Sequence, residues 1–194
     1  MVFLRREGEE AAGRLTGDGV FLRHPDVRDF VEWSELREES RAFLTPWEPT
    51  WPEDELSRGA YRQRVKRYLQ DIEDGKAYPF YVFRSVDGRL VGGATLSQVR
   101  RGAAQAATLG YWVGQPYQRR GYTSAAVRAV VRFAFEDLDL HRVEAACQPD
   151  NLASQGVLAK AGFEKEGHAR AYLKINGAWR DHFLYARVKA ERVR

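Results

Sequence analysis

The sequence predicts an α+β chain: a central mixed, mostly antiparallel sheet with helices on both faces. Three observations carry this. Residues 78–85, 89–99 and 104–114 read as successive strands, the first two joined by Asp87-Gly88, a hairpin signal. A helical segment at 121–136 and a strand at 141–148 then make a β-α-β crossover, which puts a parallel pair into an otherwise antiparallel sheet. No repeat, low-complexity tract or Pro/Gly/Ser linker divides the 194 residues, so one domain over 1–194 is expected, with 1–19 peripheral or poorly ordered.

Taken in order, Val20–Arg23 is a short strand. Pro25 sits where a helix can begin, and Val27, Phe30 and Val31 would form that helix's apolar face. Residues 45–52 hold three prolines and two tryptophans, which makes them a loop with large apolar content. A second helix is expected over about 53–73, with Tyr61, Val65, Tyr68, Leu69 and Ile72 in helical spacing and Gly75 ending it. After the meander, the helix at 121–136 turns Val127, Val130, Val131 and Ala134 inward. A strand at 141–148, a helix at 152–161 stopped by Gly162, and strands near 163–173 and 182–189 complete the order β-α-α-β-β-β-α-β-α-β-β.

Hydrophobic residues at 44% and charged residues at 30% are ordinary for a soluble globular chain. A net charge of +4 is too small a bias to argue for nucleic-acid binding, although it would help attract a polyphosphate. Apolar runs fall short of a membrane span. Residues 1–13, with two arginines, three glutamates and no apolar core, do not read as a secretory signal, so a cytoplasmic location is expected. Cys147 is the only cysteine, which excludes an internal disulfide and a cysteine-only metal site. His24, His141, His168 and His182 lack metal-ligand spacing. No metal, membrane or direct nucleic-acid contact is expected.

The segment Leu109-Gly110-Tyr111-Trp112-Val113-Gly114 leads into Gln118-Arg119-Arg120-Gly121-Tyr122-Thr123, and a helix follows with Ser124 in its first turn. A helix N-terminus offers unpaired N–H groups and a partial positive charge, which together suit phosphate. Gly121 lets the backbone turn tightly and lets oxygens approach. Arg119 and Arg120 add charged donors. By itself such a loop reads first as an ordinary strand-to-helix turn with solvated arginines.

The loop resembles the Gln/Arg-x-x-Gly-x-Gly/Ala signature of the GCN5-related N-acetyltransferase (GNAT) superfamily. Asn151 and Ser154, opening a helix closed by Gly162-Phe163, resemble that family's Asn-x-x-Ser…Gly-Phe segment. The resemblance implies a sheet splayed at its centre, between the strands at 107–113 and 142–147, with the pantetheine arm of acetyl-CoA in the gap. It implies that Tyr111, Trp112, Val113, Gln118, Arg119, Arg120, Gly121, Tyr122, Thr123, Ser124, Asn151 and Ser154 bind this co-substrate. Thr123 stands where glycine or alanine is usual, but its backbone N–H can still donate.

Three further blocks narrow the resemblance: Phe43-Leu44-Thr45-Pro46-Trp47-Glu48-Pro49; His141-Arg142-Val143-Glu144-Ala145 with Pro149-Asp150-Asn151-Leu152-Ala153-Ser154; and Trp179-Arg180-Asp181-His182. They are similar to the RimJ/RimL branch, the ribosomal-protein N-acetyltransferases, over about residues 20–188. The acceptor implied is the N-terminal α-amine, alanine or serine, of a protein, typically a ribosomal protein. A monomer or a homodimer is expected.

Such an amine attacks the thioester directly, so Cys147 reads as a packing residue. An α-amine has a pKa of about 8 against about 10.4 for lysine, so it asks less of a general base. The glutamate that the family often carries just before the Gly-Tyr pair is replaced here by Thr108 and Leu109. Glu48, shielded by Trp47, is the candidate to bind or deprotonate the amine, with Trp47 and Tyr111 as further substrate-binding residues. The Val113 N–H would serve the oxyanion. Ser154 would bond the departing sulfur, or cap its helix, and Asn151 would bond pantetheine or do the same. Asp181 is expected to pair structurally with His182. Trp33 reads as core, Trp51 and Tyr61 as part of the acceptor wall, and Arg62, Arg64, Lys66 and Arg67 as a solvated helix face. Two other functions share this scaffold: acetylation of a small-molecule amine, and a non-catalytic acetyl-CoA-binding module.

Overall fold

The computed structural model describes residues 14–190. Its strands are β1 (Leu15–Gly17), β2 (Val20–Arg23), β3 (Tyr78–Arg84), β4 (Leu90–Arg100), β5 (Ala106–Val113), β6 (Arg142–Cys147), β7 (Glu164–Ile175) and β8 (Ala178–Val188). Its α-helices are α1 (Phe30–Glu39), α2 (Arg41–Leu44), α3 (Arg58–Glu73), α4 (Tyr122–Glu136) and α5 (Leu152–Lys160). One sheet runs β1-β2-β3-β4-β5-β6-β8-β7. Only β5 and β6, joined by the α4 crossover, pair in parallel.

That parallel pair is short. It holds from Ala106↔Arg142 to Thr108↔Glu144 and then stops, although β5 continues to Val113 beside β4 and β6 to Cys147 beside β8. The strands part in the middle of the sheet, which is the expected splay.

Each face buries its own apolar cluster. On one, α4 lays Val127, Val130, Val131 and Ala134, each 1% exposed or less, against the strands. Its small residues allow close approach: Gly17 of β1 sits against the backbone of Ala125. On the other face, α1 and α3 bury Trp33, Leu36, Tyr61 and Val65 over Tyr81 and Phe83.

Four elements differ from the sequence reading. Of the segment 1–19, residues 15–17 form the edge strand β1, while 1–13 lie outside the described residues. The first helix does not bury Val27 or Val31, each about half exposed. Asp26 and Asp29 form a reciprocal capping box around a 3₁₀ turn at Val27–Asp29, and this tighter winding shifts the phase, so Trp33, Leu36 and Arg37 face inward. The second helix begins at Arg58 rather than 53, because the Ser57 hydroxyl accepts the Ala60 N–H and caps it there; Leu69 is exposed. The last two strands extend to a two-residue turn, Asn176-Gly177, both at positive φ, an Asn-Gly hairpin of the kind whose twist matches its strands.

Candidate active site

The opening between β5 and β6 exposes main-chain groups. The Gly114 N–H donates to the Val91 carbonyl of β4. Because strand groups alternate in direction, the N–H groups of Val113 and Tyr111 point the other way, toward the missing part of β6. Side chains alternate between faces: Tyr111 points to α5, and Trp112 to the α1–α3 side, its indole Nε1 only 2.5 Å from where a Cβ on Gly93 would stand. Glycine at 93 is what admits the ring.

On the α5 side, the Tyr111 hydroxyl lies 2.8 Å from Ser154 Oγ and donates to the Ser154 carbonyl at 3.2 Å. Burial pushes the Tyr111 hydroxyl well above the usual phenol range, so it stays a neutral donor. Asn151 Oδ1 accepts the Ser154 N–H at 3.0 Å; Asn151 therefore caps α5 with its oxygen and keeps its amide nitrogen for other work. Cys147 is buried, and burial raises its thiol pKa despite the hydroxyl of Ser154 beside it, as befits an inert packing thiol.

The loop before α4 carries two left-handed residues, Arg119 at φ +59° and Gly121 at φ +83°. Gly121 is the N-cap, nothing lies within 4 Å of where a Cβ would sit, no side chain caps the helix, and no acid stands in its first turn. The first N–H groups of α4, from Tyr122 and Thr123 onward, have no carbonyl of their own helix to bond, which suits them to an external anion. Arg119 and Arg120 are exposed beside them, Gln118 folds back onto the Gln115 carbonyl, and the Ser124 side chain is buried.

Glu48 sits elsewhere, on the α1 side, and its carboxylate is engaged. Arg37 Nη1 and Nη2 donate to it at 2.8 and 2.6 Å, and the Trp51 indole at 2.7 Å. The tryptophan at Glu48 is therefore Trp51, three residues on, while Trp47 lies half-buried in the preceding 3₁₀ turn. The Arg37 guanidinium, almost wholly buried, lies between the rings of Trp51 and Trp112 at 4.2 and 4.9 Å. The loop is tied down at two further points: Gln148 donates to the Pro46 carbonyl, and the Asn176 N–H of the β7–β8 turn to the Glu48 carbonyl.

Several expectations change. Tyr61 is fully buried, its hydroxyl donating to the Asp26 carbonyl, so it belongs to the core rather than an acceptor wall. Arg64 is not on the solvated face: it pairs with Glu55 at 2.6 Å and lies over Trp33. Asp181 pairs with His168 at 2.9 Å and accepts the Ala171 N–H, not with His182, because neighbours on a strand point to opposite faces. Arg37 escaped the sequence reading. Its signal was a charged residue four positions after Trp33 and next to Leu36, within the buried stripe of α1.

The family model for the acetyltransferase (GNAT) domain matches residues 20–164. "Probable N-acetyltransferase YjcK" of Bacillus subtilis is 40% identical over 172 residues, covering 89% of this chain and 95% of that protein. The ribosomal protein uS5-alanine N-acetyltransferase of Escherichia coli is 36% identical over 173 residues, 89% of each. The solved structure of Mycobacterium smegmatis RimJ, in complex with CoA-disulfide, superposes with a TM-score of 0.84 at 34% identity, covering 91% of this chain and 86% of that one. On this match and these relatives, the chain belongs to the GCN5-related N-acetyltransferase family and is an acetyltransferase.

Proposed function

We propose that this acetyltransferase moves the acetyl group of acetyl-CoA to the N-terminal α-amine, alanine or serine, of a protein, a ribosomal protein in the first instance, and does so in the cytoplasm. The observation that carries the reading is the opening between β5 and β6, lined by outward N–H groups of Tyr111 and Val113 and lying beside an uncapped helix N-terminus. The residues fit the co-substrate. An extended pantetheine arm can take the strand hydrogen bonds that β6 does not supply, and a pyrophosphate can take the N–H groups at Gly121, Tyr122 and Thr123. The uS5-alanine enzyme and RimJ, both above 30% identity, support the acceptor class.

The thioester supplies the activated acyl carbon. The Val113 N–H is the donor for the oxygen that becomes negative as the amine adds. As the new C–N bond forms and the C–S bond breaks, Tyr111 turns its proton to Ser154 Oγ, 2.8 Å away, and Ser154 gives its own proton as a hydrogen bond to the departing sulfur. Glu48 accepts three donors and retains one of roughly four acceptor sites, which suits orienting an amine N–H more than removing a proton. At neutral pH roughly a tenth of an α-amine is already uncharged, so a water can take the remaining proton. Mass spectrometry of protein N-termini in cells with and without this chain tests the reading: loss of acetylation at alanine- or serine-initiated ribosomal proteins is expected, and an unchanged N-terminal profile would contradict it.

A further inference from the structure

A cavity of about 290 Å³ lies on the α1–α3 face of the sheet, walled by Trp33, Phe80 and Trp112. Trp112 links it to the opening, since its neighbours Tyr111 and Val113 are the residues whose N–H groups face the gap. Three arginines and one glutamate also line it: Arg37, Arg64, Arg67 and Glu55. Two of the arginines are matched, Arg64 by Glu55 and Arg37 by Glu48. Arg67 stands exposed, near the ring of Tyr68, and has no acidic partner among the described residues. The cavity thus carries one positive charge more than its acids balance.

Two of the lining residues each carry a buried polar atom with no hydrogen-bond partner among the described residues: Arg37 Nε and the Tyr81 hydroxyl. Both side chains are more than nine-tenths buried, Arg37 at 6% and Tyr81 at 4% exposed. Leaving such groups unpaired is unfavourable. Glu48 explains two of the three nitrogens of Arg37 but not the third. The Tyr81 hydroxyl lies near that of Tyr61, whose proton goes to the Asp26 carbonyl; the Tyr61 oxygen can still accept, so the Tyr81 proton is free to turn either to it or to a ligand.

We infer that this cavity is a specificity pocket for a carboxylate, held by Arg37 Nε, the Tyr81 hydroxyl and Arg67, and presented by an acidic side chain within the first residues of the acceptor. A single unmatched cation suits a monoanion better than a phosphate dianion, and aromatic walls suit the carbon stem of glutamate. The inference rests on the reading that the acceptor amine enters the β5–β6 opening. A free small acid offers the same carboxylate, so the test separates the two sources.

Alanine-initiated peptides carrying glutamate or glutamine at position 2, 3 or 4 are compared as substrates, and benzoate is titrated by calorimetry, with wild type, Arg67→Gln and Tyr81→Phe. At one position the glutamate peptide is expected to exceed its glutamine twin about tenfold in kcat/KM, through KM. Both substitutions should pull that ratio toward one while acetyl-CoA affinity holds. Equal use of all peptide pairs, with benzoate binding that Arg67→Gln abolishes, keeps the carboxylate pocket and assigns it to a free acid. If no peptide is acetylated, the functional reading fails, and benzoate decides the pocket alone: binding lost in Arg67→Gln supports it. Selectivity that survives both substitutions, or neither selectivity nor benzoate binding in the wild type, overturns it.

Discussion

Tyr111 and Ser154 share a hydrogen bond of 2.8 Å, hydroxyl to hydroxyl, between β5 and α5 at the place where β5 parts from β6. The contact joins the strand whose N–H groups face the opening to the N-terminus of α5. It also fixes the serine hydroxyl, whose own N–H is held by Asn151. Ser154→Ala should lower kcat by about tenfold or more while leaving acetyl-CoA affinity near wild type, since a bond to a charged leaving group exceeds a neutral one. Tyr111→Phe should act in the same direction with smaller effect. Single-turnover kinetics check both, and a normal rate in Ser154→Ala would remove the hydroxyl from the chemistry.

Gly121 caps α4 at φ +83° with open space around it. Gly121→Ala introduces left-handed strain of about 1–2 kcal/mol but no charge. Gly121→Asp adds a negative charge where an anion is expected to dock. Acetyl-CoA affinity, read by calorimetry, should fall modestly in the first and at least about 100-fold in the second. Equal affinity in both would show that the phosphates bind elsewhere.

The Arg37–Glu48 pair makes two separable predictions. Arg37→Met should destabilise the fold by about 2–3 kcal/mol by stranding Glu48 and the indole of Trp51 around an uncompensated carboxylate. Adding Glu48→Gln should recover part of that loss, because it removes the stranded charge. Denaturant melts of the two single variants and the double test this coupling. Glu48→Gln alone should reduce kcat/KM for an alanine-initiated peptide about tenfold with unchanged cofactor affinity, if one N–H of the amine is bound there.

His24 is stacked on Phe80 at 4.6 Å and hydrogen-bonds the Pro79 carbonyl at 2.7 Å. Burial lowers its pKa below the usual imidazole value, outweighing the carbonyl, which acts the other way. Below about pH 6.5 the unfolded chain binds a proton at His24 that the folded chain resists. Its contribution to stability is therefore complete above that pH and is lost as pH falls toward the lowered folded value. His24→Gln should flatten the stability profile below about pH 6.5; an unchanged slope in urea melts would place the dependence on other groups.

How much was legible in the sequence follows from the range of the forces involved. Local signals read well: Asp87-Gly88 marked its turn, and the valine spacing of α4 marked its buried face. Asn176-Gly177 is a turn signal of the same kind, and it carries the pairing of the last two strands to Ile175 and Ala178, beyond the expected ends. The face of α1 was misread because the Asp26–Asp29 capping box inserts a 3₁₀ turn, which changes phase without changing spacing. Partners distant in sequence were not legible at all. Nothing in the Pro46–Pro49 block says that Glu48 meets Arg37, eleven residues earlier, or that Asp181 prefers His168, thirteen residues before it, to its neighbour. The splay was implied by resemblance rather than by periodicity, since nothing in the residues of β5 marks where its pairing with β6 stops.

The most direct test of the proposed activity is the site of acetyl transfer. An alanine-initiated peptide with an internal lysine is incubated with this protein and acetyl-CoA, alongside the same peptide with its α-amine blocked, and the products are mapped by mass spectrometry. The account predicts acetylation of the α-amine alone, with kcat/KM rising with pH until about pH 8, where the free amine becomes neutral, and no product from the blocked peptide. Acetylation of the lysine in the blocked peptide, or no transfer to the free one, would contradict it.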